Sequence, residues 1–350
     1  MRIVVNDIAA NSGGAMTVLR DFYSYVCKND HENEWLFLLN NDYFDETENV
    51  KIITLPQIKK SRIKKLLFDF VTGRMYIERL KPDVVFSLQN IITFGISSPQ
   101  LVYIHQSIPF QKIKRFSFFK KEERKLAAVQ YLIGIIIKLS ARMSDSVIVQ
   151  TMWIKDAVCR QCKLPGSKVV VNMPEIVWKQ PLCPKEEFDK TQFFYPTAGN
   201  VYKNNECVRK ASRILESRRI IHSVTMTLPE EGSARSVCCV GKLPHESVMA
   251  YYQRATLVFP SYIETVGYPL IEARAVGGLI LASDTPFSQE VLTGYENAYF
   301  FDPFSPNALA ELMGKVVQGE IVRKETQSKT EGNGSPWGAV VEHIISFGNK

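Results

Sequence analysis

Residues Ser261 to Gly278 read SYIETVGYPLIEARAVGG, preceded by the run Thr256-Leu-Val-Phe259 and followed by Leu279-Ile-Leu-Ala282. The two flanking runs are short, apolar and bounded by loop residues, which suits buried strands. Between them, Pro269 fits the first helical position, because its missing N–H is one that a helix start leaves unbonded in any case. Leu270, Ala273, Ala275 and Val276 carry the helix on, and Gly277-Gly278 stops it. The unit is strand, loop, helix, strand. It places Glu272 in the first helical turn, where the macrodipole favours an anion, and Glu264 in the preceding loop. In a parallel α/β sheet this loop lies at the carboxyl end of a strand, where ligands bind. A lone carboxylate is ordinarily a solvated surface residue. Two of them beside free helix amides at such an edge form a candidate ligand site.

The same alternation runs outward through the chain. Ile3 to Asn6 reads as the first strand, Asp7 to Ser12 with Gly13-Gly14 as a loop, and Ala15 to Cys27 as a helix on the spacing of Val18, Leu19, Phe22 and Val26. Bare glycine backbone at a helix start allows a phosphate or sugar oxygen to approach closely. The spacing is neither GxGxxG nor a P-loop, so Gly13 and Gly14 alone are a weak signal. Further strands are expected at Glu34 to Leu39, Val50 to Leu55, Asp83 to Ser87, Leu101 to Ile104, Ser146 to Gln150 and Lys168 to Val171, with helices near Ile63 to Leu80 and Glu122 to Met143. Strands and helices in alternation imply a parallel, doubly wound sheet. His105 follows directly on the strand Leu101 to Ile104, a position suited to substrate contact, although an isolated histidine is more often structural.

Met173 to Lys190, rich in proline and charge, reads as a linker between domains. A second α/β series follows: strands at Gln192 to Pro196, Ser223 to Leu228, Val237 to Val240 and Asn297 to Phe301, and helices at Cys207 to Leu215, Glu246 to Arg254 and Pro306 to Val317. The loop Thr197 to Asn205 carries Lys203. The organisation expected is a first domain over 1–172, a linker over 173–190, a second domain over 191–318, and over 319–350 a flexible connector with a terminal helix, Trp337 to Phe347, docking on the first domain.

Composition narrows the classes. A chain of 350 residues with 45% hydrophobic and 23% charged residues is an ordinary globular protein, long enough for two domains. Seven cysteines, an odd number, with no secretory segment argue for reduced thiols in a cytoplasmic setting. Cys159-Arg-Gln-Cys162 has no second pair to complete a zinc site and reads as two ordinary thiols. The longest apolar run, Tyr131 to Ile137, falls far short of the roughly 20 residues of a membrane span, so no bilayer crossing is expected. The net charge of +7 is concentrated at 59–65 and 112–125, where cations mix with Phe, Ile and Leu. That mixture suits an anionic membrane surface or a lipid-linked acceptor, and a solvated helix face equally. The basic runs are not read as a groove for single-stranded nucleic acid, and no nucleic-acid partner is expected.

Taken together, Gly13-Gly14, Ser87-Leu-Gln-Asn90, Val102-Tyr-Ile-His105-Gln106, Val149-Gln-Thr151, Tyr202-Lys203-Asn204 and Phe259-Pro260-Ser261 through Glu272 resemble, in this order, the GT-B fold. More closely, the chain looks like the retaining, nucleotide-sugar-dependent glycosyltransferases of family four. The resemblance implies two Rossmann-like doubly wound parallel-sheet domains facing across a cleft, with a nucleoside-diphosphate-sugar donor held chiefly by the second. It implies donor-binding roles for Glu272 on the ribose, for the Val266 and Gly267 amides on the diphosphate, and for Gly13 and Gly14 near phosphate or acceptor. Catalytic roles fall to Lys203, which neutralises the departing phosphate, to Glu264 on the sugar hydroxyls, and to His105 from the first domain. Retention follows from front-face attack with the leaving phosphate taking the acceptor proton. No metal and no cofactor beyond the sugar nucleotide are expected, since no Asp-x-Asp cluster stands in the chain.

Two departures stand out. Many members carry an arginine five residues before the lysine, where this chain has Ala198; Lys203 then acts alone, or Lys242, Arg254 or another cation substitutes, or turnover weakens. Gln106 stands where relatives often have aspartate. The expected function is transfer of a sugar to a glycan acceptor, plausibly lipid-linked, at the cytoplasmic face of a membrane in cell-surface polysaccharide or lipopolysaccharide synthesis. The alternatives are a sugar-nucleotide epimerase on the same fold and a non-catalytic nucleotide-sugar-binding module.

Overall fold

The computed structural model describes residues 1–11, 13–174, 176, 187–325 and 336–349. The chain forms two compact units, one of Met1–Phe119, Arg124–Pro174 and Gly334–Lys350, the other of Lys120–Glu123 and Glu175–Asn333. Most of the linker expected over 173–190, namely residue 175 and residues 177–186, lies outside the described residues.

In the first unit seven strands, β1 (Arg2–Asn6), β2 (Glu34–Leu39), β3 (Val50–Thr54), β4 (Val84–Ser87), β5 (Gln100–Ile104), β6 (Ser146–Val149) and β7 (Val169–Val171), pair in the order β3-β2-β1-β4-β5-β6-β7. All pairings are parallel. Helices cover both faces, which is why these strands read as unbroken apolar runs. Ile3, Val5, Phe86 and Tyr103 face a core with Phe22 of the helix Gly13–Asn29, while Val4, Leu36 and Val85 face Phe68 and Ile77 on the other side. The terminal helix Pro336–Gly348 closes the first of these cores: Trp337, Val340, Val341 and Ile344 are buried there, with the Trp337 and Phe22 rings 5.0 Å apart.

The helical stretches expected at 63–80 and 122–143 are each interrupted by a wider π turn, Phe68–Thr72 in one and Ala128–Ile133 in the other. Apolar spacing averages over turns and does not register one extra residue. Each π turn is followed by a glycine at a close approach. A Cβ at Gly73 would stand 2.4 Å from the Phe68 carbonyl, and one at Gly134 2.9 Å from Pro109 Cβ. The continuous run Arg124–Met143, 20 residues, is long and apolar enough to cross a membrane by length and composition only, a longer stretch than the run Tyr131 to Ile137 read from the sequence. Its inner face, with Ile137 and Ala141, packs on Ile92, Phe94 and Phe110.

The second unit has six parallel strands, β8 (Gln192–Tyr195), β9 (Ser223–Met226), β10 (Val237–Cys239), β11 (Thr256–Phe259), β12 (Ile280–Ser283) and β13 (Ala298–Phe301), in the order β10-β9-β8-β11-β12-β13. This repeats the first unit's order, so each sheet reverses direction between its first and fourth strands, β1 and β4 in one, β8 and β11 in the other. That reversal opens the crevice where open α/β sheets take ligands. The start of the expected flexible connector is anchored, not loose: the buried Arg323 donates to the carbonyls of Gly277 at 2.9 Å and Gln253 at 2.6 Å, and Lys324 N donates to Asn297 at 2.7 Å. Residues 326–335 of that segment lie outside the described residues.

Candidate functional site

At the carboxyl edge of the second sheet the loops after β8 and β11 are stitched together. Tyr202 O accepts from Tyr262 N at 3.1 Å and lies 3.2 Å from Ser261 Oγ, and Asn204 Nδ2 donates to Pro260 O at 3.3 Å and Pro303 O at 2.6 Å. Asn204 holds φ +58° to do so, a left-handed conformation that asparagine tolerates. This clamp brings Lys203 and Glu264 together, Nζ to Oε1 2.5 Å, with 18% and 16% of their side chains exposed. Ser261 donates a second hydrogen bond to the same Glu264 oxygen at 2.7 Å. Lys203 also lies over the Tyr202 and Phe259 rings, 5.8 and 6.0 Å from their centroids, a position that favours the cation. Burial, then the Glu264 charge, pushes the Tyr202 phenol up to about 12, so it stays a neutral wall of the site.

The helix after β11 spans Tyr268–Ala275, with Gly267 as its N-cap at φ +77°. Glu272 is therefore the fifth helical residue and not in the first turn, because the helix begins before Pro269 instead of at it. What holds it is side-chain contact in place of the macrodipole: the Tyr252 hydroxyl donates to Oε2 at 2.8 Å and His245 Nε2 lies 3.1 Å from Oε1. Burial and the Glu272 charge raise the Tyr252 phenol well above its ordinary range, which keeps it a donor. Val266 is fully buried and Gly267 follows it directly, so the first-turn amides of this helix start from a fixed point; a helix start leaves such amides without intrahelical partners.

In the first unit Gly13 opens its helix at φ +65°, and a Cβ at either Gly13 or Gly14 would meet nothing within 4 Å. His105, after β5, is held by Asn90 after β4: the His105 backbone N–H donates to Asn90 Oδ1 at 2.7 Å, and Asn90 Nδ2 lies 3.0 Å from His105 Nε2. Burial pushes the His105 imidazole down to about 4, and its Nδ1 is shut from solvent with no hydrogen-bond partner among the described residues. Gln106 is taken up locally, its Oε1 accepting from Ile108 N at 3.2 Å.

Nearby, the loop after β1 carries a buried charge network. Lys65 Nζ donates to both Asp69 oxygens at 2.6 Å, Gln89 Nε2 donates to Asp69 at 3.4 Å, and Lys59 Nζ donates to Ala9 O. Burial raises the Asp7 carboxyl to about 7 against the pull of Lys59 and Lys65, and its Oδ2 has no partner among the described residues. Two cations of the basic segment 59–65 thus turn inward; Lys60 and Lys64 remain outside beside exposed Ile63, Leu66 and Leu67.

The structure brings together Lys203 with Glu264, sets Val266, Gly267 and Glu272 on the next turn and helix, and holds His105, Gly13 and Gly14 on the other unit. Arg254 does not substitute for the absent arginine: it precedes β11, at the opposite end of that strand from Glu264, and pairs with Glu187 at 2.9 Å. Lys242, after β10, is exposed on the same edge as Lys203. Sequence reasoning gave no role to Asn90 and Ser261, although both stand in the stretches that carry the resemblance, and passed over Tyr252 and His245, which stand in no charged pattern. Among the described residues no three His, Cys, Asp or Glu side chains come together as metal ligands.

Residues 229–333 match the family model of the glycosyl transferases group 1. No curated protein matches the chain. Solved structures similar to it include sucrose-phosphate synthase from Thermosynechococcus elongatus (TM-score 0.64, 14% identity, covering 99% of this chain and 94% of that one). HepE from Anabaena in complex with UDP and glucose is similar too (0.64, 13%, covering 100% and 97%). So is WaaG, a glycosyltransferase involved in lipopolysaccharide biosynthesis (0.64, 12%, covering 99% and 97%). The fold is that of the GT-B class, two Rossmann-like parallel-sheet units. The resemblance read from the motifs is borne out in this fold and in the group 1 glycosyl transferase match of the second unit.

Proposed function

We propose that the protein is a retaining glycosyltransferase that moves a sugar from a nucleoside-diphosphate-sugar to a glycan acceptor, lipid-linked, without a metal ion. The observation that carries this reading is the Lys203–Glu264 pair, held at the reversal point of the sheet, with Glu264 inside the group 1 match and Lys203 ahead of it in the chain. Glu272, steadied by Tyr252 and His245, accepts hydrogen bonds from the ribose. The Val266 and Gly267 amides meet the diphosphate, and Gly13 or Gly14 admits phosphate or acceptor without a side chain in the way. Glu264 takes the sugar hydroxyls. Lys203 supplies fixed positive charge where the phosphate oxygen departs, an electrostatic role that asks for no proton transfer and fills the place a metal would take. With Ala198 exposed in the loop before it, Lys203 does this without a neighbouring arginine.

The cytoplasmic, membrane-surface element rests on the first unit. Exposed Ile63, Leu67, Val71 and Met75 form one stripe at helical spacing, with Lys60, Lys64 and Arg74 exposed around it. Segment 112–125 adds exposed Phe118 and Phe119 with Lys112, Arg115, Arg124 and Lys125. The contact is therefore a face built from both sides of each basic run, with Lys59 and Lys65 excluded from it. Co-sedimentation with vesicles is expected with anionic lipid and to fall with rising salt.

The experiment is a panel of nucleotide sugars with candidate acceptors, read by nucleoside-diphosphate release. Acceptor-dependent release that collapses in Lys203→Ala supports the reading. Isomerised sugar nucleotide with donor alone supports the epimerase instead, and donor binding without turnover across the panel supports a binding module.

A further inference from the structure

The hydrogen bonds around His105 fix where its proton sits. The backbone N–H of His105 is an obligatory donor, so the Asn90 atom 2.7 Å from it is the amide oxygen. The other end of that amide is then the NH2 group, a donor, and it faces His105 Nε2 at 3.0 Å. A proton on Nε2 would set donor against donor. Nε2 must carry the lone pair, and a neutral ring then carries its single proton on Nδ1. Asn90 pays for this clamp with a left-handed backbone, φ +67°, which asparagine and aspartate enter more readily than other side chains.

We infer that Asn90 is a positioning residue that holds His105 as a neutral imidazole protonated at Nδ1, so that the ring serves the reaction as a fixed hydrogen-bond donor and as neither general acid nor general base. Among the described residues the Nδ1–H has no hydrogen-bond partner, and it is shut from solvent. A buried donor left unpaired is costly, and an oxygen of a bound sugar is the kind of acceptor that completes it. Burial is the cause of the depressed basicity of the ring, and the Tyr103 ring lies 6.0 Å away between centroids. The identity of the bound molecule rests on the proposed function, whereas the tautomer does not.

The test is nitrogen NMR of the full chain labelled at histidine, with the His105 signals assigned by their loss in His105→Gln. Wild type is expected to show a protonated-type Nδ1 and an unprotonated-type Nε2, unchanged from pH 8 to about pH 5. Asn90→Asp keeps an oxygen for the backbone N–H and tolerates the left-handed backbone, but offers Nε2 an acceptor. In it both ring nitrogens should be protonated at neutral pH, and kcat should fall by about ten-fold or more with KM nearly unchanged. A wild-type His105 that titrates in the ordinary range near 6.5, or carries its proton on Nε2, overturns the inference. So does an Asn90→Asp protein with the wild-type ring signals. The spectra need no substrate, so a protein that turns over no nucleotide sugar would sink the proposed function while this test still decides.

Discussion

The two sheets share one strand order, yet their carboxyl edges are built in opposite electrical styles. At the edge of the second unit, charge is presented: Lys203, Glu264 and Glu272 are held by hydrogen bonds but keep part of their surface open. At the edge of the first, the carboxylates are hidden: Asp7 and Asp69 are buried, Asp69 paired with a Lys65 that keeps 18% of its side chain open, and the groups set beside them are neutral, the His105 ring and two bare glycines. The difference teaches a division of labour. On the proposed function, a diphosphate would be met by fixed charge and amides, and a neutral sugar by donors and acceptors whose protonation the fold has settled in advance.

The contrast breaks first at Lys203. If the ammonium carries the leaving-group charge, Lys203→Ala should lower turnover by about two to three orders of magnitude, read by nucleoside-diphosphate release, with Lys203→Arg recovering part of it. A fall shared equally by Glu264→Gln would instead make the pair a unit. In the first unit the matching experiment is Asp7→Asn. Asp7 titrates near 7 folded against 3.8 unfolded, so the folded chain binds the extra proton between these values and stability falls as pH rises through that window. The amide removes this penalty. The stability of Asp7→Asn relative to wild type should grow from pH 4 to pH 7 and then level off, by at most about 4 kcal/mol since one unit is about 1.4 kcal/mol, measured by thermal unfolding. A gap that stays flat across this range would mean that Lys59 and Lys65 neutralise Asp7 fully.

Much of this was legible in the chain. The order of strands follows from short apolar runs between polar loops, and the runs that Glu264 and His105 follow end within a residue of the observed strands, because buried parallel strands carry the strongest pattern. The support expected for Glu272 was not the one observed: a helix start shifted by one residue moves this carboxylate from the dipole to the second turn, and the partners Tyr252 and His245 come from another helix. The π turns at Phe68–Thr72 and Ala128–Ile133 leave no trace in periodicity. The inward turn of Lys59 and Lys65 was equally hidden, since Asp69 reads as one more solvated partner until burial is known. Ala198 shows the reverse limit, for an absent side chain is plain in the sequence while its replacement can be judged only by which end of a strand each cation occupies.

Glu272 gives the next, smaller test. Glu272→Gln keeps the volume and the bond from Tyr252 but halves the acceptors for a ribose diol. Donor affinity, measured by calorimetry with the nucleoside diphosphate alone, should weaken by about ten-fold, as expected for one hydrogen bond to a charged group, with little change in unfolding temperature. Glu272→Ala should cost stability as well, because it leaves the buried Tyr252 hydroxyl without its acceptor.

The smallest effect expected on the fold comes at Gly14, and it discriminates because it is small. A Cβ there meets open space, and the residue lies within a helix at ordinary φ, so Gly14→Ala should leave stability unchanged or raise it by about 0.5–1 kcal/mol. Gly73→Ala, on a helix of the same unit, should instead destabilise by about 1–3 kcal/mol, since its new methyl falls against the Phe68 carbonyl. A Gly14→Ala protein that is as stable as wild type yet binds donor or acceptor several-fold more weakly would locate the bound molecule against that bare backbone. Unchanged binding would remove the glycine loop from the site and leave His105 as the first unit's contact with the sugar.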